Sequence, residues 1–256
     1  MIQKRLIGVV TVRDGWAVQS FGYGRYLPLG RPEILVENLD RWGADEILLQ
    51  VIDATRQGRG PDMALLEQIG KRGLSTPLIY AGGVRSAADA VAIVAAAADR
   101  VVVDALIRDN ASEVIKAGEQ LGNQAMIGSL PLSIEHGAVR WFDYRTRTSE
   151  PMSEELLELL EAGVLSEALV IDWKHEGQPG GFDHALLDAL PKGVPVIAFG
   201  GLSSAPQLVQ ALKMPHVVAV AVGNFLSYRE HAIQAFKAEL LGVPLRPAAY
   251  QQTLHA

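Results

Sequence analysis

The chain has 256 residues, 49% hydrophobic and only 6% aromatic, with no cysteine and a formal net charge of -6. That length suits one closed α/β barrel and exceeds most open sheets. The acidic balance leaves no electrostatic footprint for nucleic acid or a membrane surface, and the lack of Cys excludes disulfides and thiolate chemistry. No apolar run reaches a membrane span, and the N-terminal residues lead into a strand, not a secretory core. A protein of the cytoplasm is expected.

Residues 5–12 read as a strand, and Arg13-Asp14-Gly15-Trp16 is an Asp-Gly hairpin signal returning through Ser20. Phe21 to Leu29 reads as a loop rich in Gly and aromatics. Pro32 opens a helix that Gly43 closes, in the usual Pro-first, Gly-last order. Strand 46–52, polar loop 53–61, helix 63–71, strand 77–81, helix 87–97, strand 100–104 and helix 111–121 follow. The second half gives strand 125–130, a hairpin arm 138–143, helix 153–162, strand 167–172, a Gly-rich loop 177–182 and helix 185–190. Strand 194–199, helix 205–212, strand 216–222 and helix 230–241 complete it. Eight strand-helix pairs in alternation imply a parallel sheet closed into a (β/α)8 TIM barrel.

The halves repeat. AGGVRSAADA at 81–90 matches FGGLSSAPQL at 199–208, and residues 39–53 match 159–172. One domain built of two half-barrels, about 1–122 and 123–241, with a tail at 242–256, is the expected organisation.

Ligands of such barrels sit where strands end, so Gly82, Gly83, Gly177, Gly200, Gly201, Gly223 and Asn224 fall on one face. Glycine lets an anion approach backbone N–H groups, which makes these a candidate phosphate site for a phosphorylated small molecule. The second-half set, 177 with 200–201 and 223–224, looks the better formed. Glycine is also what a tight strand-to-helix turn needs without any ligand. At the opposite face, Arg5, Glu46, Arg100 and Glu167 open four strands, and alternation places Arg5 with Ile7, Val9 and Thr11 on one side. On residue chemistry alone an ion-pair plug is the preferred reading, because buried charges pair.

Lys4-Arg5-Leu6-Ile7, Arg13-Asp14-Gly15, Gly43-Ala44-Asp45-Glu46, Ala81-Gly82-Gly83-Val84-Arg85-Ser86, residues 177–183 and Gly200-Gly201 together resemble the cyclase subunit of imidazole glycerol phosphate synthase. The resemblance covers residues 2 to about 240. It implies a glutaminase partner docked at the barrel base near Asp99, ammonia passing a charged gate at Arg5, Glu46, Arg100 and Glu167, and phosphate clamps on the upper face. It turns the preferred reading of the charged ring from plug to gate. No cofactor or metal is implied.

The family chemistry is a lyase-type ring cyclisation with C–N cleavage, for which carboxylates at the ends of the first and fifth strands are expected. Those positions read Thr11 and Leu130, while Gln19 stands where a Lys is usual and Asp104 where an amide is usual. Asp53, Asp104, Asp172 and Glu176 are the replacement carboxylates, with Lys174 and His175 beside them. The segment Phe21 to Pro32 resembles a divergent branch of the family linked to bacterial surface-sugar biosynthesis, in which ammonia is delivered to a separate enzyme for amidine formation. That implies a non-cyclising alternative. A sister-family isomerase, which also needs the two strand-end acids, is the third reading.

Overall fold

The computed structural model describes residues 3–228, 231–240 and 242–247. β1 (Arg5–Arg13) opens the chain, and β2 (Trp16–Phe21) folds back on it around Asp14-Gly15. A third strand, β3 (Arg25–Gly30), pairs antiparallel with β2, where a loop is expected from the sequence. Gly22 and Gly24 make the turn between them, so the glycines that read as loop are the hinge of a hairpin.

The alternation then proceeds through α1 (Pro32–Arg41), β4 (Glu46–Val51), α2 (Met63–Gly70), β5 (Leu78–Ala81), α3 (Ala87–Ala96) and β6 (Arg100–Val103). A one-turn helix, α4 (Ala105–Asp109), precedes α5 (Ala111–Leu121). β7 (Met126–Glu135) runs well past Leu130 into an antiparallel extension with β8 (Ala138–Asp143) and the short β9 (Thr148–Glu150). α6 (Glu154–Glu161) starts at Ser153, whose hydroxyl accepts from the Leu156 amide beside two acidic residues. β10 (Glu167–Asp172), β11 (Val196–Phe199), α7 (Ala205–Leu212), β12 (Val217–Val222) and α8 (Ala232–Glu239) close the described fold.

Between β10 and β11 the expected helix at 185–190 is a 3-10 turn, His184–Asp188. Asp183 caps it through the Ala185 amide, and Pro191 follows too soon for a full α-helix. The last expected helix begins at residue 230 and ends at 241, both outside the described residues, and the tail beyond 247 lies outside them as well.

Eight strands pair in parallel and return on themselves in the order β1, β4, β5, β6, β7, β10, β11, β12, β1. Closure splits the apolar residues into two layers. Leu6, Val10, Leu49, Tyr80, Leu130 and Val170 face the helices. Ile7, Val9, Leu48, Ile79, Val102, Ile127, Leu169, Ile197 and Phe199 fill the barrel interior. Each fully buried Leu, Ile or Val stabilises by roughly 1.5–3 kcal/mol, so the two layers hold the strands in register.

Candidate functional site

The base of the barrel carries the four strand-opening charges. Arg5 reaches Glu46 at 2.9 Å and Glu167 at 2.8 Å, and Arg100 reaches Glu167 at 2.9 Å and Glu46 at 3.5 Å. Two cations and two anions therefore alternate in a closed ring. Burial opposes the charge of Arg5, but the two carboxylates hold its pKa above the ordinary value. Burial also pushes the Glu46 carboxyl up, against the pull of Arg5 and Arg100. Arg100 is braced further by the Gln124 carbonyl and the Ser166 hydroxyl, at 3.1 Å each. Asp99 is exposed at the same end, its carboxylate accepting from the Leu78 amide at 2.8 Å.

Above the interior layer the strands open into a pocket. Its floor is Gln50, Asp104 and Ser129; one wall is Gly82, Gly83 and Thr55, and another is Phe142, Tyr144 and Trp173. The β2–β3 hairpin overhangs it with Tyr23 and Tyr26, and Arg13, Arg56 and Arg147 stand among the lining residues. Phe142 and Trp173 stack with ring centroids 3.9 Å apart. The antiparallel extension of β7 and β8 is what brings Phe142 and Tyr144 over the barrel mouth.

Asp104 follows β6, is partly buried and lines this pocket. Burial raises its carboxyl from 3.8 to about 7, partly offset by the Arg108 charge and by the Ser129 hydroxyl, which donates at 3.3 Å. Burial pushes the Tyr23 phenol well up, the neighbouring Glu176 charge adding to this, while its hydroxyl donates to Gln50 Oε1 at 3.3 Å. Tyr144 is also held up by burial and by Asp104, with Thr55 as its side-chain partner. The floor thus offers one carboxyl that titrates near neutrality among neutral hydroxyl and amide groups, a suitable setting for proton transfer.

The remaining replacement carboxylates are committed elsewhere. Asp53 lines the pocket but accepts from Arg59 at 2.7 Å and the Asp14 amide at 3.1 Å. Asp172 accepts from the Asp183 amide and pairs with His175, both at 2.8 Å, which fixes the loop after β10. Lys174 pairs with Glu135 at 2.8 Å on the outer rim. Thr11 is buried outside this pocket, in a narrow cleft with Gly223 and Asn224. Leu130 faces the helix layer; Ser129 and Pro131 on either side of it line the pocket, so the side chain presented there is the proline's and not that of Leu130. Neither position offers an acid.

The glycine turns divide unequally. Gly82 and Gly83 line the pocket, although the Gly83 amide already donates to Thr55 at 3.0 Å. Gly177, Gly200, Gly201, Gly223 and Asn224 do not line it. A Cβ on Gly177 would lie 2.2 Å from the Ser20 carbonyl oxygen, and its φ of 77° is left-handed. A Cβ on Gly200 or Gly201 would meet the backbone around Asp172 and Phe182. Gly82 and Gly83 are crowded just as closely, by the Val51 carbonyl at 2.2 Å and the Gly60 backbone at 2.5 Å, so close approach of the chain to itself accounts for these turns in both halves, whereas a Cβ on Gly223 would meet only ordinary contacts at 3.7 Å.

Sequence reasoning missed Gln50, Ser129, Tyr144 and the three arginines. Gln50 was reachable by alternation from Glu46 and Leu48, but Tyr144 and Arg147 come from a hairpin whose fold over the mouth no local pattern encodes.

The profile of the histidine biosynthesis protein family matches residues 5–232. The chain belongs to that family. It is 26% identical over 248 residues, 96% of its length, to a Vibrio vulnificus (strain YJ016) protein with the provisional name imidazole glycerol phosphate synthase subunit hisF2, covering 91% of that relative. The imidazole glycerol phosphate synthase subunit HisF of Bacillus subtilis (strain 168) is also 26% identical, over 94% of this chain and 97% of its own. HisF of Exiguobacterium sp. (strain ATCC BAA-1283 / AT1b) is 24% identical over 93% of each. The similarity to the HisF subunits spans the barrel from base ring to upper pocket. No helix among the described residues is long and apolar enough to cross a membrane.

Proposed function

We propose that this member of the family is a glutaminase-coupled barrel that admits ammonia at its base and releases it at the upper pocket, where a phosphorylated small molecule is held. The observation that carries the reading is the closed ring of Arg5, Glu46, Arg100 and Glu167 below an apolar interior that leads to the pocket of Asp104. An apolar interior favours neutral ammonia over ammonium, because an unpaired ion in such surroundings costs several kcal/mol. The ring fixes the entrance, and Asp99 on the same end is the charge offered to the glutaminase. The work belongs to the cytoplasm.

Cyclisation with C–N cleavage calls for an acid and a base across the substrate. Thr11 and Leu130, where the family chemistry expects the two acids, supply neither, and nor does Pro131 beside Leu130, which supports delivery of ammonia to an acceptor enzyme, as in surface-sugar amidination, over ring closure by the barrel itself. Purified protein incubated with an ammonium salt and the cyclase's ribulosyl substrate is expected to show no turnover. Turnover comparable with that of a histidine-pathway cyclase would sink the non-cyclising part. Stimulation of glutaminase by the barrel, lost in Asp99→Lys, checks the coupling, and a barrel that leaves glutaminase turnover unchanged sinks it.

Asp104 favours a second reading. A carboxyl near pKa 7 in the pocket could serve alone as acid and then base in a slower cyclisation. Residual turnover abolished by Asp104→Asn would support it.

A further inference from the structure

The two glycine-marked cradles of the upper face are not equivalent. In the second half the chain fills its own cradle. The Asn224 amide group donates to the Ser20 carbonyl at 2.6 Å, and its oxygen accepts from the Ser20 amide at 3.1 Å. Glu176 takes the Ser20 hydroxyl at 2.9 Å and the Tyr23 amide at 3.3 Å, while its carbonyl accepts from the Gly22 amide at 2.9 Å. The Gly180 amide is spent on Ser203 and the Ser203 amide on Gln207. A phosphate entering there would have to displace the β2–β3 hairpin and meet the Glu176 carboxylate.

The first half is open and rimmed with positive charge. Arg13, Arg56 and Arg147 all line this pocket, the Arg13 guanidinium lying 4.3 Å from the centroid of the Tyr26 ring, and all three oppose the rise that burial gives the Tyr26 phenol. Arg56 and Arg147 are exposed and make no ion pair among the described residues. Arg13 has only the exposed Asp14, at 3.4 Å. Three of the chain's six tyrosines line this one pocket, with Phe142 and Trp173 as flat walls. The floor differs from the rim: Gln50 and the Tyr23 hydroxyl suit hydroxyl groups, and the Asp104 carboxylate, when ionised, repels an anion.

We propose that the pocket takes a compact ring-bearing ligand with a single anionic terminus, of the singly phosphorylated sugar class. Its phosphate sits on Arg13, Arg56 and Arg147, and its hydroxyl end points to Asp104 and Gln50. A bisphosphate spanning both halves is excluded by the clasp of Ser20 on Glu176 and Asn224. This deepens the reading of the upper face as the phosphorylated-ligand site and rests on it.

Titration calorimetry on the full chain with ribose 5-phosphate, fructose 1,6-bisphosphate, glucose and inorganic phosphate tests it. Ribose 5-phosphate is expected to bind at least roughly tenfold more tightly than glucose or inorganic phosphate, and the bisphosphate no more than about threefold better than the monophosphate. The double variant R56A/R147A is expected to keep its melting temperature and lose roughly tenfold or more in ribose 5-phosphate affinity. A bisphosphate bound about tenfold more tightly than the monophosphate overturns the proposal, as does inorganic phosphate equal to ribose 5-phosphate, or affinity indifferent to R56A/R147A. Neither ammonia nor glutaminase enters the titration. A barrel that binds ribose 5-phosphate through Arg56 and Arg147 but leaves glutaminase unstimulated defeats ammonia coupling alone, and the reverse pattern defeats only this proposal.

Discussion

Replacing Asp104 by Asn isolates the electrostatics of the pocket floor. The carboxyl titrates near 3.8 when unfolded and at about 7 when folded, chiefly because burial penalises its charge. Between those values the folded chain holds a proton that the unfolded chain has released, so this group's contribution to stability falls as pH rises from about 4 to about 7. A rise of about three pH units corresponds to about 4 kcal/mol, an upper figure because pocket water screens the charge. Arg108 and Arg145 pull the carboxyl down and Asp143 pushes it up; Tyr23 and Tyr144 beside it stay neutral. Asn keeps the shape, still accepts the Ser129 hydroxyl through its oxygen and never ionises. Urea denaturation at pH 8 is therefore expected to show D104N more stable than the parent by about 2–4 kcal/mol. The gap should close to within about 0.5 kcal/mol near pH 4. A variant less stable at pH 8, or a gap of the same size at both pH values, would refute the reasoning.

Two further substitutions test the clasp and the ring. Gly177→Ala puts a methyl 2.2 Å from the Ser20 carbonyl at a φ of 77°, so the hairpin must lift. A loss of about 2–4 kcal/mol and faster tryptic cleavage at Arg25 are expected. Gly193→Ala, with nothing within 4 Å of its added Cβ, serves as the control and should cost only about 1–2 kcal/mol, with the hairpin cleaved at the parental rate. Glu46→Gln leaves Arg5 and Arg100 sharing Glu167 and is expected to cost about 2–4 kcal/mol in denaturant titrations. A double-mutant cycle with Arg5→Gln should return a favourable coupling above about 1 kcal/mol; additivity would mean the ring is not a unit.

The barrel was legible because closure is written locally. Alternation from Arg5 to Ile7 and Val9, and from Arg100 to Val102, puts one face inward in every strand, and the ring and the interior layer follow from it. The hairpins were not legible in the same way. Gly22, Gly24 and Pro28 lower strand propensity over 21–30, yet pairing with β2 overrides it. Strand β7 runs five residues past Leu130 because β8 pairs with its extension, while alternation from the inward Ile127 puts Ser129 and Pro131 on the pocket side. Gly177, Gly200 and Gly201 carry a second meaning in the fold. A glycine shows that something comes close without saying what; here it is Ser20, held by Asn224 from 204 residues away.

The β2–β3 hairpin also changes what the barrel shows to other molecules in a crowded cell. A closed ring of strands has no free ladder, but each hairpin added to its mouth restores one. Among the described residues β3 pairs only with β2, and it exposes Leu27 and Leu29 along its length, the composition of a strand that recruits another chain. Pro28, placed between those two leucines, lacks the N–H such a neighbour would use. On the other side β9 is three residues long and ends in Glu150. The protein that built a lid out of strand can thus keep that lid from becoming a template for self-association, and Pro28→Val is where the protection would fail.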